Sequence, residues 1–468
     1  MTNHHGHNTV YGIRDTPYNP PTTYYLRQLT VSLLIGFGLI ALALTFWAVF
    51  RADAILARAD NPRLVEAALR IQRGSIWDRN GRLLAATTGS GNALQRHYPI
   101  AAIGPAVGYY SFRHGTAGVE ESYDALLRGA GQPALQRWWQ QTLHRPQVGQ
   151  AVRLTLDADL QQQADSFLYQ QPGALILLEL TAAQTADLLA LVSHPGYDPN
   201  LLDAQFDDLV NNSAAPLLNR VTQSQYQPGL ALQPFILALA LEQDIIQLDD
   251  PVSNPNRPVP INGVVTRCHS LPPEPATWVT VLHYQCPGPM QDLADQLGVS
   301  GLDQAFAAFN LTQAPPIPLA VAEAKAEPTT ATQLAAVGQG NLTVTPLQLS
   351  LALATLAQNG RLPAPQLVTE VQMEDGSWRP VVTNATSSQA ISAQTAFDIR
   401  TNLPQSANIY EFSARVLSGP DENTNAWYLG LYPIGAPRYI LVIVLENQDN
   451  LDAVTAVGRN LFALLDKR

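Results

Sequence analysis

Lysine is nearly absent from the 468 residues of this chain. Lys325 and Lys467 are the only two, and arginine supplies the other basic side chains. The formal net charge is −11, and this acidic balance argues against nucleic acid as a partner. The shortage of lysine also limits the chemistry, because a mechanism that needs a lysine has only two positions to use.

Cysteine is equally scarce, with Cys268 and Cys286 alone. Two cysteines exclude a disulfide-rich scaffold and a zinc site built only from cysteine. Charged residues make up 14% of the chain and apolar residues 46%, so the chain can bury a sizeable core and is not a disordered polymer. Its length predicts two or three domains.

The segment from Gln28 to Phe50 carries no charge and is long enough to span a bilayer. Trp47 lies near one end, where an interfacial aromatic belt would place it. The alternative is a cleaved signal peptide, because Ala52-Asp53-Ala54 has the small-x-small form. The apolar run is longer than the core of a typical signal peptide, which favours an uncleaved anchor. Arginines flank the run on both sides, so charge leaves the orientation open.

The remaining patterns divide the chain into four parts. Residues 1–27 lack apolar periodicity and predict a flexible tail, 28–50 the anchor, 51–148 a first domain, and 149–468 a second, larger domain. The boundary near 148 follows from the Pro146-Gln147-Val148-Gly149 turn signal.

Strand and helix patterns mix without strict alternation. The segment from Arg70 to Thr87 predicts a β-hairpin turned at Asp78–Gly81, and Gly118–Gly131 predicts a short helix ending at Gly129. Asp157 can cap a helix that follows a short strand. Further predictions are four β-runs (GALILLEL, DLLALVSHP, AWYLGLYP and RYILVIVLEN), helices over 331–360, a loop over 244–275 and a final helix from about Leu451. This order predicts an α+β fold with an antiparallel sheet flanked by helices.

Seven stretches in a fixed order resemble the class B penicillin-binding proteins, the membrane-anchored transpeptidases of the bacterial cell wall. The matching blocks are Arg73–Gly81 with Leu84-Ala85, Gly108–Gly129, Gly149–Ala164, Ser193–Asn200, Leu217–Arg220, Gly338–Gly360 and Ala426–Pro433. The resemblance covers nearly all of the chain beyond the apolar run. It implies a β-rich pedestal (dimerisation) domain over 51–148, a transpeptidase-like domain over 149–468, and a short inside tail with the body outside the cell membrane.

The chemistry of that family needs three motifs. In Ser-x-x-Lys at a helix start, helical spacing places the lysine beside the serine hydroxyl whose proton it takes. Ser-x-Asn shuttles a proton and holds the substrate amide. Lys-Thr-Gly on a strand binds the substrate carboxylate and lines the oxyanion site.

The sequence departs from all three motifs. Tyr-x-Pro-Gly-Ser-x-x-Lys falls on Tyr226–Gln233, which puts Leu230 at the nucleophile and Gln233 at the base. Leucine has no lone pair, and an amide does not accept a proton near neutral pH. The second motif falls on Gln285-Cys286-Pro287, with Gln285 and Pro287 in place of Ser and Asn. The third falls near Ser418-Gly419-Pro420, with no lysine.

A shifted alignment does not restore the motifs. Ala322 and Leu464 stand three residues before the two lysines, and Thr-Gly follows neither lysine. Ser-x-Asn occurs at Ser90–Asn92 and Ser406–Asn408, which are outside the expected place and are interpreted as chance.

The resemblance therefore predicts a catalytically inactive homologue that needs no cofactor or metal. It would act as a scaffold or regulator that contacts membrane proteins of cell-wall synthesis or cell division. One alternative is a non-catalytic module that binds muropeptides or β-lactams, with peptidoglycan stem peptides as ligands. Another is an active D,D-transpeptidase with non-standard residues.

The two cysteines flank the second motif and leave three interpretations open. Outside the membrane, Cys268 and Cys286 could form a disulfide. They could also be two buried thiols, or they could bind a metal together with His269 and His283.

Overall fold

The computed structural model describes residues 21–47, 70–89, 94–130, 147–169, 171–323, 329–381, 387–418 and 423–466. Contacts divide the chain into two compact units, Met1–Leu69 and Arg70–Arg468.

The first unit contains helix α1 (Pro21–Thr45). It begins earlier than the Gln28 boundary expected from sequence, because proline is well tolerated at the first position of a helix. Residues 24–45 are long and apolar enough to cross a membrane, which makes α1 a candidate span. Residues 48–50 of the expected anchor lie outside the described residues.

The second unit is an α+β body, as the sequence predicted. Its helices are α2 (Gly104–Val107), α3 (Val119–Ser122), α4 (Asp124–Leu127), α5 (Ala158–Leu168), α6 (Leu202–Asn211), α7 (Gln233–Glu242), α8 (Trp278–Tyr284), α9 (Pro287–Ala308), α10 (Thr332–Ala336), α11 (Pro346–Ala357), α12 (Ala393–Thr401) and α13 (Leu451–Leu465). Its strands up to residue 277 are β1 (Ile76–Trp77), β2 (Leu83–Thr88), β3 (Gln95–His97), β4 (Gly108–Ser111), β5 (Gly115–Gly118), β6 (Val152–Leu154), β7 (Gly173–Leu180), β8 (Thr185–His194), β9 (Pro251–Val252), β10 (Val259–Ile261), β11 (Val264–Thr266) and β12 (Ala276–Thr277). The later strands are β13 (Arg361–Leu362), β14 (Ala364–Gln366), β15 (Val368–Gln372), β16 (Trp378–Pro380), β17 (Ser388–Gln389), β18 (Gln405–Ser406), β19 (Ile409–Leu417), β20 (Thr424–Tyr432) and β21 (Tyr439–Leu445).

A seven-stranded sheet forms the centre of the body, in the order β14-β8-β7-β21-β20-β19-β18. All neighbours are antiparallel except β14, which runs parallel to β8. The four β-runs expected from sequence all form strands of this sheet. Their near-continuous apolar character is explained by burial of both faces of the sheet.

Alternate residues of β7 enter two different cores. Ile176 and Leu178 join the larger core, which also contains α7 and α11. Leu175 and Leu177 join a smaller core with α5 and α13 on the opposite face. The central sheet is therefore sandwiched between helices.

A second, six-stranded sheet has the order β16-β15-β6-β1-β2-β3. The hairpin of β1 and β2 is confirmed, with Ile76 opposite Ala85. Asp78 holds its turn by accepting bonds from the backbone N–H groups of Asn80 (2.8 Å) and Arg82 (2.7 Å). The same carboxylate accepts from Ala158 N at 3.1 Å, so one side chain joins the hairpin to the start of α5. Strands from distant parts of the chain thus complete one sheet.

Asp157 caps α5 as predicted, because its side chain accepts from the N–H groups of Asp159 and Leu160. The segment after Gly118 differs from the expectation of one helix. It forms the two one-turn helices α3 and α4 and then stops at Gly129, where φ is +72°.

The loop expected over 244–275 is wrong in part, because β10 and β11 form an antiparallel hairpin there. Asn262 and Gly263 supply the two positive φ angles (48° and 86°) of its turn, the geometry that favours Asn-Gly between paired strands. Strand β19 is a further element that the sequence analysis did not predict.

A buried ion network stabilises the six-stranded side of the body. Glu120, fully buried, accepts from Arg73 Nη2 at 2.9 Å and from Arg96 Nε at 2.6 Å. Tyr98 donates to the same carboxylate at 3.2 Å, and its backbone exchanges two hydrogen bonds with the side chain of Asn200. Removal of one member of such a network leaves a buried charge unpaired, which is strongly destabilising.

Candidate functional site

The turn before α7 is held by hydrogen bonds to its backbone. Tyr226 exchanges two hydrogen bonds with Val344, each of 2.9 Å, and the Gly229 N–H donates to Gly338 O at 3.0 Å. The indole N–H of Trp427 donates to Gln227 O at 3.2 Å. Residues Gly229–Leu232 then form a 3-10 turn that leads into α7.

Gly229 has a φ of +56° and lies against β19. A Cβ atom here would lie 2.7 Å from the Cβ of Val416, far inside van der Waals contact. Both the backbone conformation and the close approach of β19 therefore require glycine at this position.

Leu230 and Gln233, the residues expected from sequence at the family's serine and lysine positions, differ in their surroundings. Leu230 lines the cleft described below and is 9% exposed. Gln233, at the start of α7, is fully buried and donates to Val281 O at 3.3 Å, while its Oε1 has no hydrogen-bond partner. Neither side chain offers a nucleophile or a base to a ligand.

Gln285 and Pro287, expected at the second motif, lie between α8 and α9. Gln285 is left-handed (φ 50°), and its side-chain N–H donates to Ser413 O on β19. Pro287 is the first residue of α9, where a missing N–H is harmless. Gln285 thus links the connection between α8 and α9 to β19, and Pro287 starts α9.

The third expected motif begins where β19 ends. Ser418 is the last described residue before a gap, and its N–H donates to Asn423 O at 2.6 Å. Gly419 and Pro420 lie outside the described residues. The part of β19 that lines the cleft is Arg415–Leu417, and Arg415 is exposed there.

The two cysteines are joined. Cys268 and Cys286 form a disulfide, which ties the segment after β11 to the start of α9. The described residues contain no group of three or more potential metal ligands, and His283 contacts the backbone O of Asn402. The bridge holds the segment that carries Arg267 and His269 at the cleft.

The turn before α7, the β10–β11 hairpin, the disulfide segment and the end of β19 line an open cleft of about 590 Å³. Leu230 lines its floor, β10 and β11 one wall, and the end of β19 another. Arg267, His269 and Arg415 line it together with a single carboxylate, Asp449. Among the described lining residues there is no serine and no lysine, and Cys268 is held in the disulfide.

Behind the cleft, Tyr226 donates to Glu446 Oε1 at 2.7 Å, and Arg220 Nε donates to the same oxygen at 3.0 Å. Burial, followed by the nearby Glu446 carboxylate, raises the pKa of Tyr226 well above its ordinary value. Tyr226 is therefore a hydrogen-bond donor at neutral pH, and it supports the turn without acting as a base.

The central antiparallel sheet of this chain is flanked by helices, and its cleft lies where a turn, a helix start and a strand end meet. This arrangement is that of the penicillin-binding transpeptidase folds. The chain belongs to the class B penicillin-binding protein transpeptidase family. Residues 178–463, more than half of the chain, match the family described as penicillin binding protein transpeptidase domain. Residues 73–152 match the penicillin binding protein A dimerisation domain.

Named relatives agree with this assignment. The chain is 27% identical over 478 residues to the peptidoglycan D,D-transpeptidase PbpA of Mycolicibacterium smegmatis, covering 94% of this chain and 96% of that protein. The crystal structure of PBPA from Mycobacterium tuberculosis is 26% identical with a TM-score of 0.74, over 83% of this chain and 98% of that one. The imipenem acyl-enzyme complex of the same protein has 25% identity and a TM-score of 0.76, over 85% and 99%.

Three features of the site were not predicted from sequence. The β10–β11 wall was assigned to a loop, although Asn262-Gly263 between two β-type runs is a hairpin signal. Arg267 and Arg415 carry no motif, and only the packing of β11 and β19 brings them to the same cleft.

We predict that Gly229→Ala destabilises the protein by about 3 kcal/mol or more, because left-handed strain adds to the overlap with Val416. The measurement is the unfolding midpoint of the full chain in lipid nanodiscs, followed by tryptophan fluorescence.

Gly263→Ala is the matched control. Its φ is +86°, but nothing lies within 4 Å of a Cβ there, so we expect only the backbone cost of about 1 kcal/mol. Equal destabilisation by the two variants would contradict the close packing of β19 on the turn.

Proposed function

We propose that this protein serves cell-wall synthesis as a membrane-anchored scaffold or regulator that does not catalyse transpeptidation by the family's serine–lysine mechanism. The proposal rests on the identity of two residues, one in the turn before α7 and one at the first position of α7. Leu230 faces the cleft at the position aligned with the nucleophile, and Gln233 is buried at the position aligned with the base.

The number of catalytic positions without their usual residue supports inactivity. Loss of a catalytic serine alone lowers the rate by about 10⁶ in a well-studied hydrolase. Here no lysine stands at the first or third motif position, and Gln285 and Pro287 have backbone roles at the second. Lys325 and Lys467 lie outside the described residues, and neither has the sequence neighbours of a catalytic motif.

The proposal includes a topology and a domain organisation. Helix α1 serves as the single anchor, with the tail inside the cell and the body outside, where a disulfide such as Cys268–Cys286 is stable. Residues 51–148 form the pedestal and 149–468 the transpeptidase-like domain. The two family matches, 73–152 and 178–463, support this division.

Labelling with a fluorescent penicillin tests the proposal most directly. We expect no covalent adduct on the folded full-length protein in membranes, because Leu230 at the cleft floor cannot attack the lactam carbonyl and no lysine lies beside Thr266 or Thr424 among the described lining residues. The measurement is in-gel fluorescence after denaturation. PbpA of Mycobacterium tuberculosis, for which a penicillin G acyl-enzyme complex is known, is the positive control.

An adduct on this chain would contradict the proposal. Mass mapping of its position would then identify the nucleophile of an active D,D-transpeptidase with non-standard residues.

The scaffold role predicts partners that do not depend on the cleft. Crosslinking in cells of origin should join the full-length protein to membrane proteins of wall synthesis or division. Leu230→Ala should leave the yield unchanged, because the contacts would use the pedestal or α1. Recovery of no such protein, or loss of the crosslinks in Leu230→Ala, would count against a cleft-independent scaffold.

A second candidate function is non-catalytic binding of a peptidoglycan stem peptide. The open cleft of about 590 Å³ favours it, because its rim presents Arg267 and Arg415 to a ligand that ends in a carboxylate.

For this second candidate we expect wild-type protein to bind a stem pentapeptide with a Kd on the order of 10⁻³ M, and Arg415→Ala to weaken binding by about tenfold. Calorimetry on the full chain measures both values. Arg113→Ala, which removes an exposed arginine from the β4–β5 turn, should change nothing. No heat of binding at millimolar peptide would remove this candidate.

A further inference from the structure

A second groove lies on one face of the six-stranded sheet, apart from the cleft. Trp77 on β1 pairs with Arg153 on β6, and Arg153 pairs with Glu370 on β15. Gln372, two residues farther along β15, pairs with Trp378 on β16. Because cross-strand partners share a face and residues two apart share a face, all five side chains project from the same side of the sheet.

These side chains form a polar and aromatic surface. Trp77, Arg153, Gln372 and Trp378 line a groove of about 450 Å³, and both tryptophans are only half-buried. Gly74 lies at its base, where backbone of the β6 segment approaches so closely that no Cβ would fit. The volume is within the range of small-ligand sites, roughly 300 to 1,000 Å³.

The cations of the groove already have anionic partners. Arg153 forms an ion pair with Glu370 and stacks on Trp378, with 4.3 Å from its Cζ to the ring centroid. Arg73 is bound by Glu120 at 2.9 Å and by Asp124 at 2.6 Å. An anionic ligand therefore has no free positive charge to neutralise, and a cationic ligand meets no free carboxylate among these pairs.

The groups of the groove that remain available to a ligand carry no net charge. Two indole rings line the groove, and the Arg153 guanidinium covers one face of the Trp378 ring. The Gln372 amide can both donate and accept, and its Nε2 already donates to Gly376 O at 3.3 Å. A pyranose ring matches these groups, because one of its faces is a patch of C–H groups and its rim carries hydroxyls that donate and accept.

We propose that the groove between Trp77 and Trp378 binds a neutral oligosaccharide. The ligand stacks a sugar ring on an indole and hydrogen-bonds through its hydroxyl or acetamido groups to Gln372. Such a site holds the body on a glycan strand and is independent of any reaction in the cleft.

The test is titration of the full-length protein, in lipid nanodiscs free of sugar detergents, with the tetramer of β-1,4-linked N-acetylglucosamine. We expect saturable binding by calorimetry in the millimolar range or tighter, weakened by at least about tenfold in Trp378→Ala and severalfold in Gln372→Ala. Tyr169→Ala removes a large exposed aromatic side chain elsewhere on the body and should bind like wild type.

Gln372→Ala keeps the proposal testable if Trp378→Ala fails to fold. No binding by wild type at about 5 mM tetramer would overturn the proposal, as would equal binding by wild type and both groove variants. A proline-rich peptide that binds the groove while the tetramer does not would also overturn it.

Discussion

The enclosure of α7 is the constraint on which the rest of the body depends. Every residue from Gly229 to Ala240 is buried, and the helix contacts α9 and α12 while its leading turn packs on β19. A helix enclosed on all sides is stable when it is apolar all round. Phe235, Ile236 and Leu237 of α7 satisfy that condition, and Gln233 at its start is the polar exception. The central sheet, the flanking helices and the cleft floor are assembled around this helix.

The framework of the cleft is separate from its chemistry. Tyr226, Arg220 and Glu446 are joined by hydrogen bonds behind the turn, and Trp427 holds the turn from β20. None of these contacts needs a nucleophile at residue 230. The contacts that hold the turn therefore do not depend on which side chain stands at residue 230, and a fold by itself does not specify a function.

The disulfide and Gln285 both act on the walls of the cleft. Cys268–Cys286 holds the segment after β11, and Gln285 joins the α8–α9 connection to β19. The shape of the cleft is thus set by covalent and hydrogen-bonded links between segments. The groove on the six-stranded sheet is built in a similar way, because β15 and β16 come from a part of the chain far from β1 and β6.

Local patterns in the sequence determined several secondary-structure elements of this protein. The β1–β2 hairpin, the Asp157 cap, the buried runs of β7 and β8 and the long apolar helix α1 can all be predicted from neighbouring positions. Such features depend on turn residues, periodicity and capping, which act within a few residues. The scarcity of lysine needs no structure at all.

Only the tertiary structure decided which distant segments meet. It joined the two cysteines, for which sequence left three interpretations, and it brought Arg267 and Arg415 to one cleft. It also placed Trp77 and Trp378 on one sheet face, although about 300 residues separate them in the chain. Pairing between strands this far apart depends on the packing of the whole core, so no local sequence pattern specifies it.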